Sequence, residues 1–136
     1  MTRRPKAIVL DSWSVMAYLE DEPVGRRISE IIVNGYESGT PLLMSVVNVG
    51  EIWYLIARKT SEKEADQTVS EIEQLGVDFV DADWNLTREA SRIKSCYPMS
   101  FADCFAAALA KDRGAYLLTG DPEFKQVETE LKILWL

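Results

Sequence analysis

Short apolar runs alternate with longer amphipathic stretches along the whole chain, and this alternation restricts the fold more than any other feature. Helical periodicity separates each run of strand length from the next. The predicted strands are AIVLDS, PLLMSV, VDFVDA and YLLTGD, with KILWL expected as an edge strand. Strands that alternate with helices are typical of βαβ units. The sequence therefore predicts an α/β fold, a three-layer α/β/α arrangement around a mainly parallel four- to five-stranded sheet.

Seven helices are predicted between and after these strands. Pro23 is expected to end the first of them, and Gly76 and Gly114 to end the fourth and the sixth. The predicted helices are WSVMAYLEDE, VGRRISEIIVNGYES, NVGEIWYLIARK, SEKEADQTVSEIEQLG, DWNLTREASRIKS, SFADCFAAALAKDRG and the short DPEFKQV. Because the chain has 136 residues and neither repeats nor long linkers, we expect a single domain over residues 1–136.

The chain contains no histidine. This absence excludes Ser-His-Asp and Cys-His catalytic arrangements and histidine-ligated zinc sites. If the protein is an enzyme, carboxylates are the obvious catalytic groups, together with a hard metal ion. The net charge of −7 argues against a protein that coats nucleic acid in general. Several clusters of basic residues could form local basic patches at the rim of a site, or could simply be solvent-exposed surface. They are Arg3/Arg4, Arg26/Arg27, Arg58/Lys59 and the helix that carries Arg88, Arg92 and Lys94.

The compartment is predicted from what the sequence lacks. No apolar run approaches the about 20 residues of a membrane span, and the run after MTRRPK is too short for a signal-peptide core. Two cysteines, Cys96 and Cys104, make no disulfide framework. We therefore expect a cytoplasmic protein.

Four acids stand where predicted strands end or predicted helices begin. Asp11 ends the first strand, and Asp121 follows the fourth strand. Glu51 and Asp103 lie in the first turns of the third and sixth helices. Each acid has a purely structural interpretation as part of a helix cap. Asn48 with Glu51 and Ser100 with Asp103 have the spacing of a capping box, and Asp121 before Pro122 suits an N-cap.

The direction of the elements favours a second interpretation. Chain that leaves a parallel strand emerges at the carboxyl edge of the sheet, where open α/β sheets bind their ligands. The helix that contains Asp103 leads into the fourth strand, so its N-terminus starts at the same edge. Carboxylates that gather beside a core are costly unless they are paired or bind metal. Oxygen ligands of this kind suit Mg²⁺ or Mn²⁺.

At these acids the sequence resembles a known family. The segments AIVLDSW, SVVNVGEIWYLI, SFADCFAAALA and LLTGDPEF are similar to the four acidic motifs of PIN-domain ribonucleases, and the compact length is similar to that of VapC toxins. The resemblance implies catalytic, metal-binding roles for Asp11, Glu51, Asp103 and Asp121. It implies supporting roles for Ser12, Asn48, Thr119 and Glu123.

The same resemblance implies an activity and partners. The expected activity is that of an endoribonuclease in which Mg²⁺ or Mn²⁺ activates a water that attacks the scissile phosphate, leaving a 5′-phosphate and a 3′-hydroxyl. The expected partners are an RNA substrate such as tRNA or ribosomal RNA, a VapB-like antitoxin that covers the site, and a second copy of the chain in a homodimer. The candidates for contacts with the RNA backbone are Arg26, Arg27, Arg88 and Arg92.

Alternatives stay open at this point. A PIN-like domain that only binds, without catalysis, would keep the fold. A receiver-type phosphoacceptor domain would also place acids at the carboxyl edge, with Asp81 after the third strand. Asp83 is more simply the N-cap of the next helix. Apolar positions on the first two helices could face the core or a partner groove, and the aromatics Trp13, Trp53, Tyr54 and Phe105 are expected in the core rather than stacked on bases.

Overall fold

The computed structural model describes residues 6–20 and 23–136. The strands are β1 Ile8–Leu10, β2 Leu42–Ser45, β3 Val77–Val80, β4 Tyr116–Thr119 and β5 Lys132–Trp135. The α-helices are α1 Ser12–Leu19, α2 Pro23–Ser38, α3 Val46–Lys59, α4 Glu62–Gln74, α5 Trp84–Cys96 and α6 Phe101–Arg113, and a 3₁₀ helix spans Pro122–Val127. The basic pair Arg3/Arg4 and the predicted end of the first helix at Asp21 and Glu22 lie outside the described residues.

The five strands form one sheet in the order β3-β2-β1-β4-β5, and every neighbouring pair is parallel. This confirms the predicted α/β class, and KILWL forms the edge strand. The central strands β1 and β2 are buried along their whole length, which is why they consist of continuous apolar runs rather than alternating patterns. The order also differs from the 2-1-3-4-5 order of receiver-type domains, so the receiver alternative does not fit this fold.

Helices cover both faces of the sheet and produce the predicted three layers. One core contains apolar residues of α1, α2, α3 and α4 against side chains such as Leu10 and Met44. The other contains residues of α5, α6 and the 3₁₀ helix against side chains such as Val9 and Leu117. Among the described residues, none of the helices combines the length and the apolar character needed to cross a membrane.

Two predicted helix boundaries are wrong. Pro23 does not end the first helix; it is the first residue of α2, a position that suits proline because the missing N–H needs no partner there. Asn48 is not the N-cap of α3. Ser45 caps that helix and accepts a hydrogen bond from Val47 N, so Glu51 lies in the second turn rather than the first.

Candidate metal centre

The carboxyl edge of the sheet opens at β1, the central strand. The chain connects β1 to β2 on one side, while β4 returns to pair with β1 on the other. A crevice at such a switch point is where α/β sheets place ligands. Asp11 directly follows β1, and Thr119 ends β4, so both residues stand at this crevice.

Asp11 is fully buried at the base of the site. It is the N-cap of α1, and its Oδ1 accepts a hydrogen bond from Ser14 N at 2.8 Å. Its Oδ2 accepts a hydrogen bond from Thr119 Oγ1 at 2.5 Å. Burial nevertheless raises the pKa of Asp11 to about 6, because these hydrogen bonds only partly offset the lost hydration of the carboxylate.

Three further carboxylates form a compact cluster. Ligand oxygens of Asp103, Asp121 and Glu123 lie within 4.8 Å of one another. Asp103 lies in the first turn of α6, and Asp121 caps the 3₁₀ helix through a bond of 2.9 Å from Glu123 N to its Oδ1. Burial, followed by hydrogen bonding with Glu123, raises the pKa of Asp103 to about 8. Burial and the neighbouring carboxylates therefore favour the protonated form of Asp103 when no cation is bound.

The capping box predicted at the start of α6 is only half formed. Ser100 Oγ accepts a hydrogen bond from Asp103 N at 3.2 Å, as the box requires. The reciprocal bond from Ser100 N does not go to Asp103; it goes to Glu123 Oε1 at 3.0 Å. Glu123 thus takes the place of Asp103 in the cap, and the Asp103 carboxylate is left to the acid cluster. The cap and the site are compatible because Glu123 completes the cap while its carboxylate also belongs to the acid cluster.

Asn48 connects three helix starts behind the cluster. Its Nδ2 donates to Ser12 Oγ at 3.3 Å and to Ala102 O at 3.1 Å. Ser12 Oγ in turn donates to Asn48 O at 3.2 Å. Asn48 is fully buried, and its Oδ1 has no hydrogen-bond partner among the described residues. Such an orphaned acceptor is costly in a dry core and calls for a water or an ion nearby.

A cavity of about 510 Å³ opens above these groups. Glu51 lines it from α3, Asp103 from α6 and Asp121 from the turn after β4. Ser12 and Ser100 also line the cavity. The structure therefore brings Glu51, Asp103 and Asp121 to one cavity, with Glu123 in the acid cluster and Asp11 buried beside it. Glu51 is not part of the compact three-carboxylate cluster. The third carboxylate of that cluster, beside Asp103 and Asp121, is Glu123.

Several cavity residues were not identified from sequence. Trp13, expected in the core, is 38% exposed and lies on the cavity wall with Met16. Leu55 and Lys59 line the same cavity from α3. Leu55 and Lys59 could have been identified from the sequence, because they follow Glu51 at intervals of four residues and therefore lie on the same helix face. The expectation of core aromatics is right for Phe105, which is 3% exposed, and wrong for Tyr54, which is 42% exposed.

The structure also shows where the other charged residues singled out in the sequence lie. Asp83 is the N-cap of α5, as the structural interpretation predicted, and Asp81 is exposed away from the cavity. Arg92, a candidate for contact with RNA, forms ion pairs with Glu89 at 2.8 Å and Glu130 at 2.5 Å. The other three candidates are exposed arginines, Arg26, Arg27 and Arg88.

The donor set fits a hard divalent cation. All side chains of the cluster offer carboxylate oxygens, the ligands that Mg²⁺ and Mn²⁺ prefer. Burial is the main cause of the raised pKa of Asp103, and the nearby carboxylates of Glu123 and Asp121 raise it further. A bound cation would relieve the repulsion between these carboxylates. The Oδ1 of Asn48, which precedes Glu51 on α3, is a further buried acceptor without a hydrogen-bond partner among the described residues.

The comparisons with known proteins agree with this geometry. A model of the PIN domain family matches residues 8–130. No curated protein sequence matches the chain. Among solved structures, VapBC2 from Rickettsia felis, bound to a DNA fragment from its promoter, matches with a TM-score of 0.72 and 14% identity over 96% of this chain and 98% of the matched chain.

Two further structures show the same fold. VapBC-1 from nontypeable Haemophilus influenzae matches with a TM-score of 0.72 and 15% identity, over 95% of this chain and 97% of the other. VapC20 from Mycobacterium tuberculosis, described as a toxin that cleaves the sarcin–ricin loop, matches with a TM-score of 0.68 and 19% identity, over 89% of this chain and 95% of the other. At these identities the matches establish a shared fold.

Proposed function

The chain belongs to the PIN domain family, and from this premise we propose that it is a metal-dependent endoribonuclease, the toxin of a VapBC-type toxin–antitoxin pair. The observation that carries the proposal is the cluster of Asp103, Asp121 and Glu123, whose ligand oxygens lie within 4.8 Å of one another at the carboxyl edge of the sheet. A catalytically silent binding module would have no need to keep three costly carboxylates together beside a core.

We assign the residues as follows. Asp103, Asp121 and Glu123 would hold a Mg²⁺ or Mn²⁺ ion, Glu51 would complete the acids of the cavity from α3, and Asp11 would act from the base of the site. When bound, the ion would stabilise negative charge on the phosphate and acidify a water molecule. Thr119 holds the Asp11 carboxylate through its hydroxyl. Ser12 and Asn48 fix the starts of α1, α3 and α6 relative to one another.

The reaction class follows from the residues that are available. With no histidine in the chain, the acids support direct attack by water rather than by the RNA 2′-hydroxyl. The water oxygen forms a new bond to phosphorus as the bond from phosphorus to the 3′ oxygen breaks. The leaving 3′ oxygen takes up a proton. The products are a 5′-phosphate and a 3′-hydroxyl.

The test is RNA cleavage by the purified protein with Mg²⁺ or Mn²⁺. Asp11→Asn and Asp103→Asn are expected to lose at least a hundredfold in rate, while Asp81→Asn, an exposed acid away from the cavity, is expected to cleave like wild type. Equal cleavage by all four proteins would refute the site. A 2′,3′-cyclic phosphate product would refute the proposed attack by water, and no turnover of any RNA would favour the binding module.

We further propose an antitoxin partner and a homodimer in the cytoplasm. Support for the antitoxin comes from the matched folds, which include VapBC pairs. On α2, Ile28 and Ile32 are buried, as the core interpretation predicted, while Val33 and Tyr36 are 50% and 83% exposed. Exposed apolar side chains of this size are available for a partner. Sedimentation at micromolar concentration tests the homodimer, and a monomer there would contradict it.

A further inference from the structure

Residues of α1 and α3 both line the acid cavity, and we call the part between these two helices the groove. Trp13 and Met16 line one wall from α1, and Leu55 and Lys59 line the other from α3. Glu51, Leu55 and Lys59 recur every four residues, so this face of α3 extends for about 12 Å from the acids outward. Along this face of α3 the lining therefore changes from acidic at Glu51 to apolar at Leu55 and to cationic at Lys59.

Trp13 is held in place on this wall by a glycine. A Cβ added at Gly120 would lie 2.2 Å from Cη2 of Trp13 and 2.5 Å from its Cζ3. Only glycine leaves room for the indole ring at this point, and Gly120 directly precedes Asp121 of the acid cluster. The ring is thus fixed beside the cluster while 38% of the residue stays exposed. An aromatic ring that is already ordered binds a flat ligand at low entropic cost.

Lys59 supplies the positive charge that the rest of the cavity lacks. It is exposed at the last residue of α3. Within the described part of the chain, no carboxylate lies at ion-pair distance from it. Glu20 stands on the opposite, α1 wall. A phosphate in the groove is therefore favoured on the α3 side, next to Lys59.

We propose that this groove is the subsite for the nucleotide that adjoins the scissile phosphate, with the base against Trp13, Met16 and Leu55 and the next phosphate at Lys59. The inference rests on the proposed nuclease function and adds to it the residues that bind the substrate on one side of the cut. An apolar and aromatic surface between two phosphate-binding ends matches the chemistry of one nucleotide of single-stranded RNA. Trp13 and Lys59 are therefore positioning residues for RNA.

The base contact can be tested with small probes that are not cleaved. Adenosine 5′-monophosphate and ribose 5-phosphate are titrated with Mg²⁺ into the ¹⁵N-labelled protein, and the indole N–H signals are followed by NMR. Wild type is expected to bind the nucleotide about tenfold more tightly than the sugar phosphate, with the Trp13 signal shifting. Trp13→Ala should lose the preference, and Trp13→Phe should keep most of it.

Trp84 is the matched control, since it is 69% exposed but lies outside the cavity. Unspecific stacking would shift Trp84 at least as much as Trp13. Equal binding of the two probes by wild type, or loss of the preference in Trp84→Ala, would overturn the base contact. The spectrum of Trp13→Ala shows whether this variant is folded. If Trp13→Ala is unfolded, Trp13→Phe still tests the base contact, because it should keep most of the preference for the nucleotide.

The phosphate contact is tested with adenosine 3′,5′-bisphosphate. Its additional phosphate is expected to strengthen binding several-fold over the monophosphate in wild type and in Lys63→Gln, an exposed lysine on α4. Lys59→Gln should lose that gain, and an unchanged gain would overturn the role of Lys59. These outcomes separate the two proposals: nucleotide binding through Trp13 without RNA cleavage would refute only the nuclease, and cleavage without the base preference would refute only the subsite.

Discussion

Thr119, at the end of β4, donates its hydroxyl to the carboxylate of Asp11, at the end of the neighbouring β1, over a distance of 2.5 Å. The same hydroxyl oxygen accepts a hydrogen bond from Asp121 N at 3.0 Å. One side chain therefore connects the acid at the base of the site to the backbone of an acid in the cluster. Because Thr119 and Asp11 are both fully buried, this connection is shielded from water.

Replacing Thr119 with valine removes the hydroxyl and preserves the side-chain shape. We expect Thr119→Val to lower the free energy of unfolding by about 1–3 kcal/mol, because a buried carboxylate loses a donor. We also expect RNA cleavage to slow at least tenfold. Thr119→Ser keeps the hydroxyl and should stay close to wild type in both measurements. Urea unfolding and a cleavage time course test these expectations. A Thr119→Val variant with the stability and the cleavage rate of wild type would contradict them.

Asn48 is expected to contribute to stability as well as to the site. Asn48→Ala removes the hydrogen bonds of the buried amide to Ser12 Oγ and Ala102 O. The variant should lose about 2–3 kcal/mol of unfolding free energy in the absence of any metal. Asn34→Ala, at an exposed position on α2, is the control and should change stability by less than about 0.5 kcal/mol. If both variants unfold at the same urea concentration, Asn48 does not hold the helix starts together.

Glu123 is expected to be a direct contributor to metal binding. Glu123→Gln keeps the size of the side chain and removes its charge from the three-carboxylate cluster. We expect the dissociation constant for Mn²⁺, measured by calorimetry or electron paramagnetic resonance, to rise at least tenfold. Glu128→Gln, an exposed position on the same segment, should bind Mn²⁺ as wild type does. Equal affinity of both variants would remove Glu123 from the site.

The metal-free protein should become less stable as the pH rises, and Asp103 should be a main reason. The folded pKa of Asp103 is raised from 3.8 to about 8, so the folded state binds more protons than the unfolded state between these values. Stability therefore falls as the pH rises through this window and is constant with respect to this group above it. Asp103→Asn cannot ionise and avoids the loss.

Thermal melting in EDTA tests this prediction. Asp103→Asn should melt several degrees above wild type at pH 8, and the difference should disappear near pH 4. Asp81→Asn, an exposed acid, should show no such divergence. A melting difference that grows as the pH falls would have the wrong sign and would contradict the assignment.

Much of the fold could be predicted because its signals are local. Continuous apolar runs mark strands that are buried on both faces, and serine and aspartate caps mark helix starts, as at Asp83 and Ser100. The wrong boundary at α3 shows the limit of such signals. Ser45 and Asn48 are both acceptable caps, and only the burial of Asn48 beside Ser12 and Ala102 decides between them.

The candidate site could be predicted only in part, because local signals do not show which residues pack together. Direction along a parallel sheet is enough to bring Asp11, Asp103 and Asp121 to one edge. It does not show whether Glu51 or Glu123 joins the compact cluster. That outcome depends on the 3₁₀ helix, which turns Glu123 toward Ser100 N so that its carboxylate reaches Asp103.

The sequence by itself determined the α/β class, the edge at which the acids gather and, through the lack of histidine, the kind of chemistry available to them. Tertiary structure alone decided which acids touch, which are buried, and that Trp13 and Lys59 line the same cavity. Strand and helix identity follow from patterns within a few residues. Contacts between carboxylates depend on how elements distant along the chain pack, and the same packing sets their hydration and their pKa values.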